Sequence, residues 1–401
     1  MIEPAERCRA PSLCLPAEDD DAPRSAAPAK RERLSAEAGR RCLMLMVRHL
    51  VRGRAERLLS GILRHLDDQD VRLLIVKTGR VPDGYEEETL WFSAIDVEHI
   101  CLPDRAERSL WATLVVDLIR ERGVTAVAVS DTEDGYRLLP SIRAAAPSVW
   151  ISDFQYNPVA QVANNRRFGH CIDITIAQSL LTANVLVSAG GAPERIVFNP
   201  GGIDLSAYVP NAEDEARMRQ AFAIAPSAFV VGFLARLDEI KNPIGFLDVA
   251  RRRPVSGWTY LLGGGGPMEA AVDRAIGDLS STIDVRRVGV VENSRSFLGA
   301  IDVLVLTSLT EGRPLAVMEA AAMGRPVVAP AVGGVPELIE HGLTGFLCPS
   351  GDLEATAIQL DWLAGHARER LEIGRKARAR ALSNFDLRNS LPRFAAALLG
   401  P

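Results

Sequence analysis

From residue 42 onward, short apolar runs alternate with amphipathic stretches. The runs at 42–51, 71–76, 97–102, 124–129, 149–151 and 172–176 read as strands. Between them, 55–66, 110–122 and 180–189 carry the three-and-four spacing of helices with one buried face. Near-continuous apolar strands separated by such helices predict a parallel sheet covered on both faces, because a sheet with one wet face would alternate apolar and polar positions. The segment 198–202, Phe-Asn-Pro-Gly-Gly, breaks the pattern, and a polar, acid-rich stretch follows. A second alternating series then places strands at 229–234, 258–262, 285–288, 303–307, 327–329 and 345–347. The expected fold class is therefore α/β, two doubly wound parallel-sheet domains in tandem over 39–200 and 201–382, with ligands at the carboxyl ends of the strands in the cleft between them. The final stretch, 354–399, is helical, and 383–401 is expected to return toward the first domain. Residues 1–38 mix prolines and alanines with an acidic and a basic cluster and show no apolar period, which reads as a disordered tail.

Length agrees with two domains: 401 residues exceed one ordinary core. A composition of 47% apolar and 24% charged residues is that of a soluble globular protein, and a net charge of -5 excludes a dedicated nucleic-acid binder. No run of about 18 apolar residues is present, and the N-terminus lacks the succession of a secretory signal, so a cytoplasmic location is expected. Six scattered cysteines without a CxxC pair read as reduced thiols, and the isolated histidines form no spaced ligand set, so no metal is expected.

Three segments carry candidate chemistry. In 307–352 a buried strand ends at Thr307, a loop bears Glu311 and Gly312, and Pro314 opens an alanine-rich helix, as a first-turn proline can. The free amides of that turn, with the positive end of the helix dipole, suit phosphate oxygens or sugar hydroxyls. Glu319 lies about one and a half turns inside the helix, so Glu311 and Glu319 can address different parts of one ligand. In 233–243 a strand ends and Arg236 and Lys241 project from the following loop, as neutralising a departing diphosphate requires. In 263–267 a glycine loop containing Gly264 follows a strand and lets backbone approach a ligand.

Together these residues resemble glycosyltransferase family 4, a retaining family of the GT-B fold. The resemblance rests on the E-x7-E pair Glu311 and Glu319, the R-x4-K pair Arg236 and Lys241, and the phrases GGIDLSAY, LLGGGGP and GGVPELIEHGLTGFL. It implies transfer of a hexose-type sugar from a UDP- or GDP-sugar to a hydroxyl acceptor, as in bacterial polysaccharide or glycoconjugate assembly, with no cofactor and no metal. It implies that Arg236 and Lys241 hold the diphosphate, and that Glu311 with the backbone turn of Gly312, Arg313, Pro314 and Leu315, whose amides other than that of Pro314 can donate, holds the sugar and distal phosphate. Glu319 would hold ribose, and the backbone near Val290 would face the base. The acceptor is expected to be a glycan, a lipid-linked or a small molecule. The basic run 368–380 reads as a solvated helical face, with peripheral contact at the inner face of the membrane as the alternative.

The chain departs from the family in two places. At 53–57 it reads GRAER, so that Arg54 replaces the second of two glycines, and Gly53 and Arg54 are expected near the donor phosphates. At 150–154 it reads WISDF where many relatives carry a histidine, which makes Asp153 the candidate to assist the attacking hydroxyl. These departures also motivate two other readings, a nucleotide-sugar-binding protein without catalysis and a sugar phosphorylase on the same fold.

Overall fold

The computed structural model describes residues 40–401 apart from 52, 83–86, 88 and 89, so the tail read at 1–38 lies outside the described residues. The first sheet contains β1 (Cys42–Val47), β2 (Arg72–Lys77), β3 (Val97–Cys101), β4 (Ala126–Ser130), β5 (Trp150–Gln155), β6 (Ile174–Ala177) and β7 (Ile196–Phe198). The second contains β8 (Phe229–Leu234), β9 (Trp258–Gly263), β10 (Asp284–Gly289), β11 (Val303–Val305), β12 (Val327–Pro330) and β13 (Phe346–Cys348). All pairings are parallel, in the orders β3-β2-β1-β4-β5-β6-β7 and β10-β9-β8-β11-β12-β13.

Strand periodicity explains why these strands read as unbroken apolar runs. Along β1, Cys42, Met44 and Met46 enter the core on one face of the sheet while Leu43, Leu45 and Val47 enter the core on the other. β8 does the same, with Val230 on one side and Phe229, Val231 and Phe233 on the other. Helices cover both faces, so neither set can be polar.

Two chain crossings join the sheets, and they are bonded to each other. The amide of Ile203 donates to the carbonyl of Phe385 (2.8 Å), and the amide of Leu387 donates to that of Ile203 (3.0 Å). Beyond the second crossing, helix Leu391–Leu399 packs on the first domain. There Phe394 stacks on Phe154 with ring centroids 6.0 Å apart, and Trp150 Nε1 donates to the carbonyl of Ala397 (2.8 Å). The end of the chain is thus part of the first domain's core.

The basic run 368–380 differs from the solvated face expected of it. Arg370 donates to the carbonyl of Leu363 and lies over the Phe229 ring, Arg378 donates to the carbonyls of Tyr208 and Ala322, and Arg380 donates to those of Glu337 and Leu338. These three guanidiniums satisfy carbonyls of the second domain and dock helix Ala367–Asn384, leaving Arg375 and Lys376 outermost. Among the described residues no helix is long and apolar enough to cross a membrane.

Candidate functional site

In the second sheet the strand order reverses between β8 and β11, so the loops leaving these neighbours diverge and open a crevice at the carboxyl edge. The β8 loop carries Arg236, Asp238 and Lys241; the β11 loop carries Thr307, Ser308 and Glu311. Lys241 Nζ stands 2.7 Å from both carboxylate oxygens of Glu311, and Ser308 Oγ donates to Glu311 Oε1 at 2.7 Å. Asp238 ties the two cations together, receiving the Lys241 amide on Oδ1 (2.9 Å) and Arg236 Nε on Oδ2 (2.5 Å). The loops are also bonded directly, through Thr307 Oγ1 to the carbonyl of Asn242 and the amide of Leu309 to that of Ile240.

Helix Leu315–Ala322 starts immediately behind Glu311, with Pro314 at its N-cap and no side chain capping its first amides. Those amides retain their donors for a ligand. Arg313 turns away from them: it is buried beside Glu337 (3.6 Å) and over the Phe385 ring, and burial lowers its pKa to about 10. Arg313 therefore offers the crevice its backbone alone. The loop at 333–334 holds this segment from beneath. Gly333 has φ +55°, a Cβ on it would lie 1.6 Å from the Glu311 carbonyl oxygen, and the Gly334 amide donates to the carbonyl of Gly312 (2.8 Å).

The first domain meets this crevice at its own reversal of strand order, between β1 and β4. Helix Arg54–Asp68 begins there, capped by Gly53 in extended backbone. Arg57 reaches across to Glu319, Nη1 to Oε1, at 3.3 Å, and Tyr208 donates to the same oxygen at 2.7 Å. Glu56, one residue earlier, folds back over Gly53 and lies within electrostatic reach of Arg236. Arg236, Lys241 and Glu311 are thus linked side by side, and Glu56 and Arg57 bring Arg236 and Glu319 to the same interdomain crevice.

Residues 228–366 match the profile of the family described as Glycosyl transferases group 1. EpsF of Bacillus subtilis is 25% identical over 316 residues, 73% of this chain and 79% of the relative. The GDP-mannose-dependent alpha-(1-6)-phosphatidylinositol monomannoside mannosyltransferase of Mycolicibacterium smegmatis is 31% identical over 255 residues, 61% of this chain and 66% of the relative. The crystal structure of HepE of Anabaena in complex with UDP superposes with a TM-score of 0.75 at 22% identity, over 89% of this chain and 99% of that one. The chain has the GT-B fold, and its second domain carries the group 1 glycosyltransferase profile. It spans about half the length of several other curated relatives it matches, 44% of one D-inositol 3-phosphate glycosyltransferase and 53% of another.

Within this GT-B fold, Asp153 does not occupy the position expected of it. The strand does not end at residue 151; β5 runs on to Gln155, and Asp153 is fully buried inside it. Its Oδ2 receives Tyr136 Oη (2.5 Å), Gln155 Nε2 (2.8 Å) and Asn165 Nδ2 (2.9 Å), on the face of the sheet packed under helices. Burial raises its pKa, against the opposing pull of those hydrogen bonds. Asp153 is a core polar group with no exposed surface. Its replacement by Ala removes the acceptor of Tyr136 Oη and one of the two bonds made by Gln155 Nε2 and by Asn165 Nδ2, and should cost on the order of 3 kcal/mol in urea unfolding, with turnover of the folded fraction unchanged.

Gly264 has a role within the protein itself. With φ +133°, it lies so close to Ala235 that a Cβ would stand 1.8 Å from that carbonyl oxygen, so the glycine loop braces the segment presenting Arg236. Val290 is exposed just beyond β10. Arg54 is the first residue of its helix. Among the described residues no three His, Cys, Asp or Glu side chains are grouped to hold a metal ion.

Glu56, Arg57, Tyr208 and Ser308 were not among the site residues read from sequence. Glu56 and Arg57 lie in the GRAER phrase and Tyr208 ends GGIDLSAY, so the phrases marked the place without marking the side chains. Burial pushes the Glu56 carboxyl up to about 7; the amides of Glu56 and Val51 and the Arg236 charge oppose this, while Asp131 adds to it. A carboxyl raised on folding binds its proton more tightly in the native state. Its contribution to stability is complete below its ordinary value of 4.5 and is lost as pH rises through about 7. Urea midpoints measured from about pH 5 to 8 should fall with pH, and Glu56→Gln should flatten that slope.

Proposed function

We propose that this glycosyltransferase moves a hexose from a UDP- or GDP-sugar to a hydroxyl acceptor with retention of configuration, in the manner of glycosyltransferase family 4. The observation carrying this reading is the Lys241–Glu311 pair, set at a strand-order reversal between Arg236 and an uncapped helix terminus. Two cations and a set of free amides around one carboxylate suit a diphosphate that gains charge as it leaves, next to a sugar that donates hydroxyl hydrogen bonds.

In this reading the diphosphate binds Arg236, Lys241 and the amides of Gly312, Arg313 and Leu315, the sugar hydroxyls bind Glu311, and ribose binds Glu319. The bond from the anomeric carbon to the phosphate oxygen breaks as the acceptor oxygen bonds to that carbon on the same face. The acceptor proton passes to the departing phosphate oxygen, which leaves as the nucleoside diphosphate. Neither a carboxylate nucleophile nor a divalent cation is required, because the two cations and the helix terminus balance the developing charge. A UDP- or GDP-sugar donor is in keeping with HepE crystallising with UDP-glucose and with GDP-mannose in the mannosyltransferase's name, and a glycolipid acceptor with the phosphatidylinositol monomannoside in that name.

The test is nucleotide release from a panel of UDP-, GDP- and ADP-sugars, with and without acceptors, followed by NMR of the product anomer. Acceptor-dependent release with the donor's anomeric configuration kept supports the reading. Binding without release, release dependent on inorganic phosphate, or an inverted product contradicts it.

A further inference from the structure

Glu319 is nearly inaccessible, with 5% of its side chain exposed, and a carboxylate so placed needs partners. Both partners found here converge on one oxygen. Tyr208 Oη donates to Oε1 at 2.7 Å and is itself bonded to Ser294 Oγ at 3.0 Å; Arg57 Nη1 lies 3.3 Å from the same atom. The guanidinium of Arg57 is also fixed in space, 5.9 Å from the centroids of both the Trp91 and Tyr208 rings. Tyr208, Ser294 and Glu319 follow the first crossing and move with the second domain. Arg57 and Trp91 precede it and move with the first. Separation of the domains would leave Tyr208 on Glu319 and withdraw Arg57.

We infer that Arg57 is a positioning residue for nucleotide recognition: by holding Glu319 Oε1 from across the cleft, it sets the carboxylate so that Oε2 accepts from the vicinal hydroxyls of ribose, and couples that grip to domain closure. The inference rests on the assignment of Glu319 to ribose in the proposed function. It goes beyond that assignment by giving the first domain a part in reading the nucleotide. An ordinary surface ion pair would not do this, because neither its loss nor its geometry would bear on a particular ligand hydroxyl. Here the oriented group is buried and its partner lies on the opposing domain. A carboxylate free to rotate loses its preference for a paired diol over a single hydroxyl.

The experiment is calorimetric titration of the full chain with UDP and GDP and with their 2′-deoxy counterparts as probes. The native protein should prefer the ribonucleotide of the accepted base by about tenfold or more, as one hydrogen bond to a charged group is worth. Arg57→Ala should bring that preference to within about threefold, mainly by weakening the ribonucleotide, and Arg57→Lys should keep most of it. A melting curve establishes that each variant is folded, and Arg57→Gln takes the place of Arg57→Ala if the latter is not. Equal weakening of both nucleotides, or no change, overturns the inference. Glu319→Ala separates the two levels: if it abolishes the preference while Arg57→Ala does not, Arg57 has no positioning role and ribose recognition by Glu319 stands. If neither changes the preference, or the native protein has none, the assignment of ribose to Glu319 falls as well.

Discussion

Lys241→Ala should lower turnover at saturating donor by on the order of a hundredfold or more. Lys241 Nζ is equidistant, at 2.7 Å, from the two oxygens of Glu311, a carboxylate with 4% of its side chain exposed. The substitution removes the cation proposed to meet the leaving diphosphate and leaves Glu311 a buried anion held by Ser308. Removing one donor aimed at developing charge costs roughly 3–4 kcal/mol, which is the stated factor. Because the charge develops in the transition state, the loss belongs in kcat more than in donor KM. Lys241→Arg keeps the charge but spreads it over a larger, planar guanidinium in place of a compact ammonium, and should recover part of the activity. Steady-state kinetics on the three proteins checks this; unchanged turnover in Lys241→Ala would remove the lysine from the mechanism.

Gly333→Ala should have an effect of similar size without touching any side chain of the site. The added Cβ would stand 1.6 Å from the carbonyl oxygen of Glu311 and 2.6 Å from its carbonyl carbon, and the backbone there is left-handed at φ +55°. Backbone cannot yield as a flexible side chain can, so the loop bearing Glu311 must move. A displacement near 1 Å at a reacting centre costs about a hundredfold, and the melting temperature should also drop. Gly342→Ala is the control: its φ is also positive, at +76°, but nothing lies within 4 Å of the added atom. It should show backbone strain alone, a stability loss of about 1–2 kcal/mol with activity kept. Equal turnover in the two variants would show that the contact beneath Glu311 does not set its position.

Most of the fold was legible in the sequence because buried parallel strands bury both faces. The run at 229–234 coincides with β8, and 327–329 falls one residue short of β12. Legibility failed where tertiary structure overrode local composition. β5 continues through Ser152 and Asp153 because Tyr136, Gln155 and Asn165 supply hydrogen bonds that no sequence window displays, and the same fact misplaced Asp153 at a cleft. β7 was missed: three half-buried residues at the edge of a sheet carry no period. The basic run 368–380 looked like a solvated face since its carbonyl partners lie up to 170 residues away in the chain.

The site divided along the same line. Arg236, Lys241, Glu311 and Glu319 stood out because each pair sits on one short segment at fixed spacing. The contact of Arg57 with Glu319 joins residues 262 apart, from different domains, and nothing local announces it. Gly264 was recognised as a special position, and the approach it admits in the structure is that of the protein's own backbone at Ala235.

The central claim is that one interdomain crevice holds a nucleoside diphosphate sugar between these groups. A crystal structure of the protein with UDP or GDP bound tests it most directly. The account predicts the diphosphate within hydrogen-bond distance of Arg236, Lys241 and the amides of Gly312, Arg313 and Leu315, with ribose against Glu319. A nucleotide bound elsewhere, or bound there with its phosphates turned away from both cations, would contradict it.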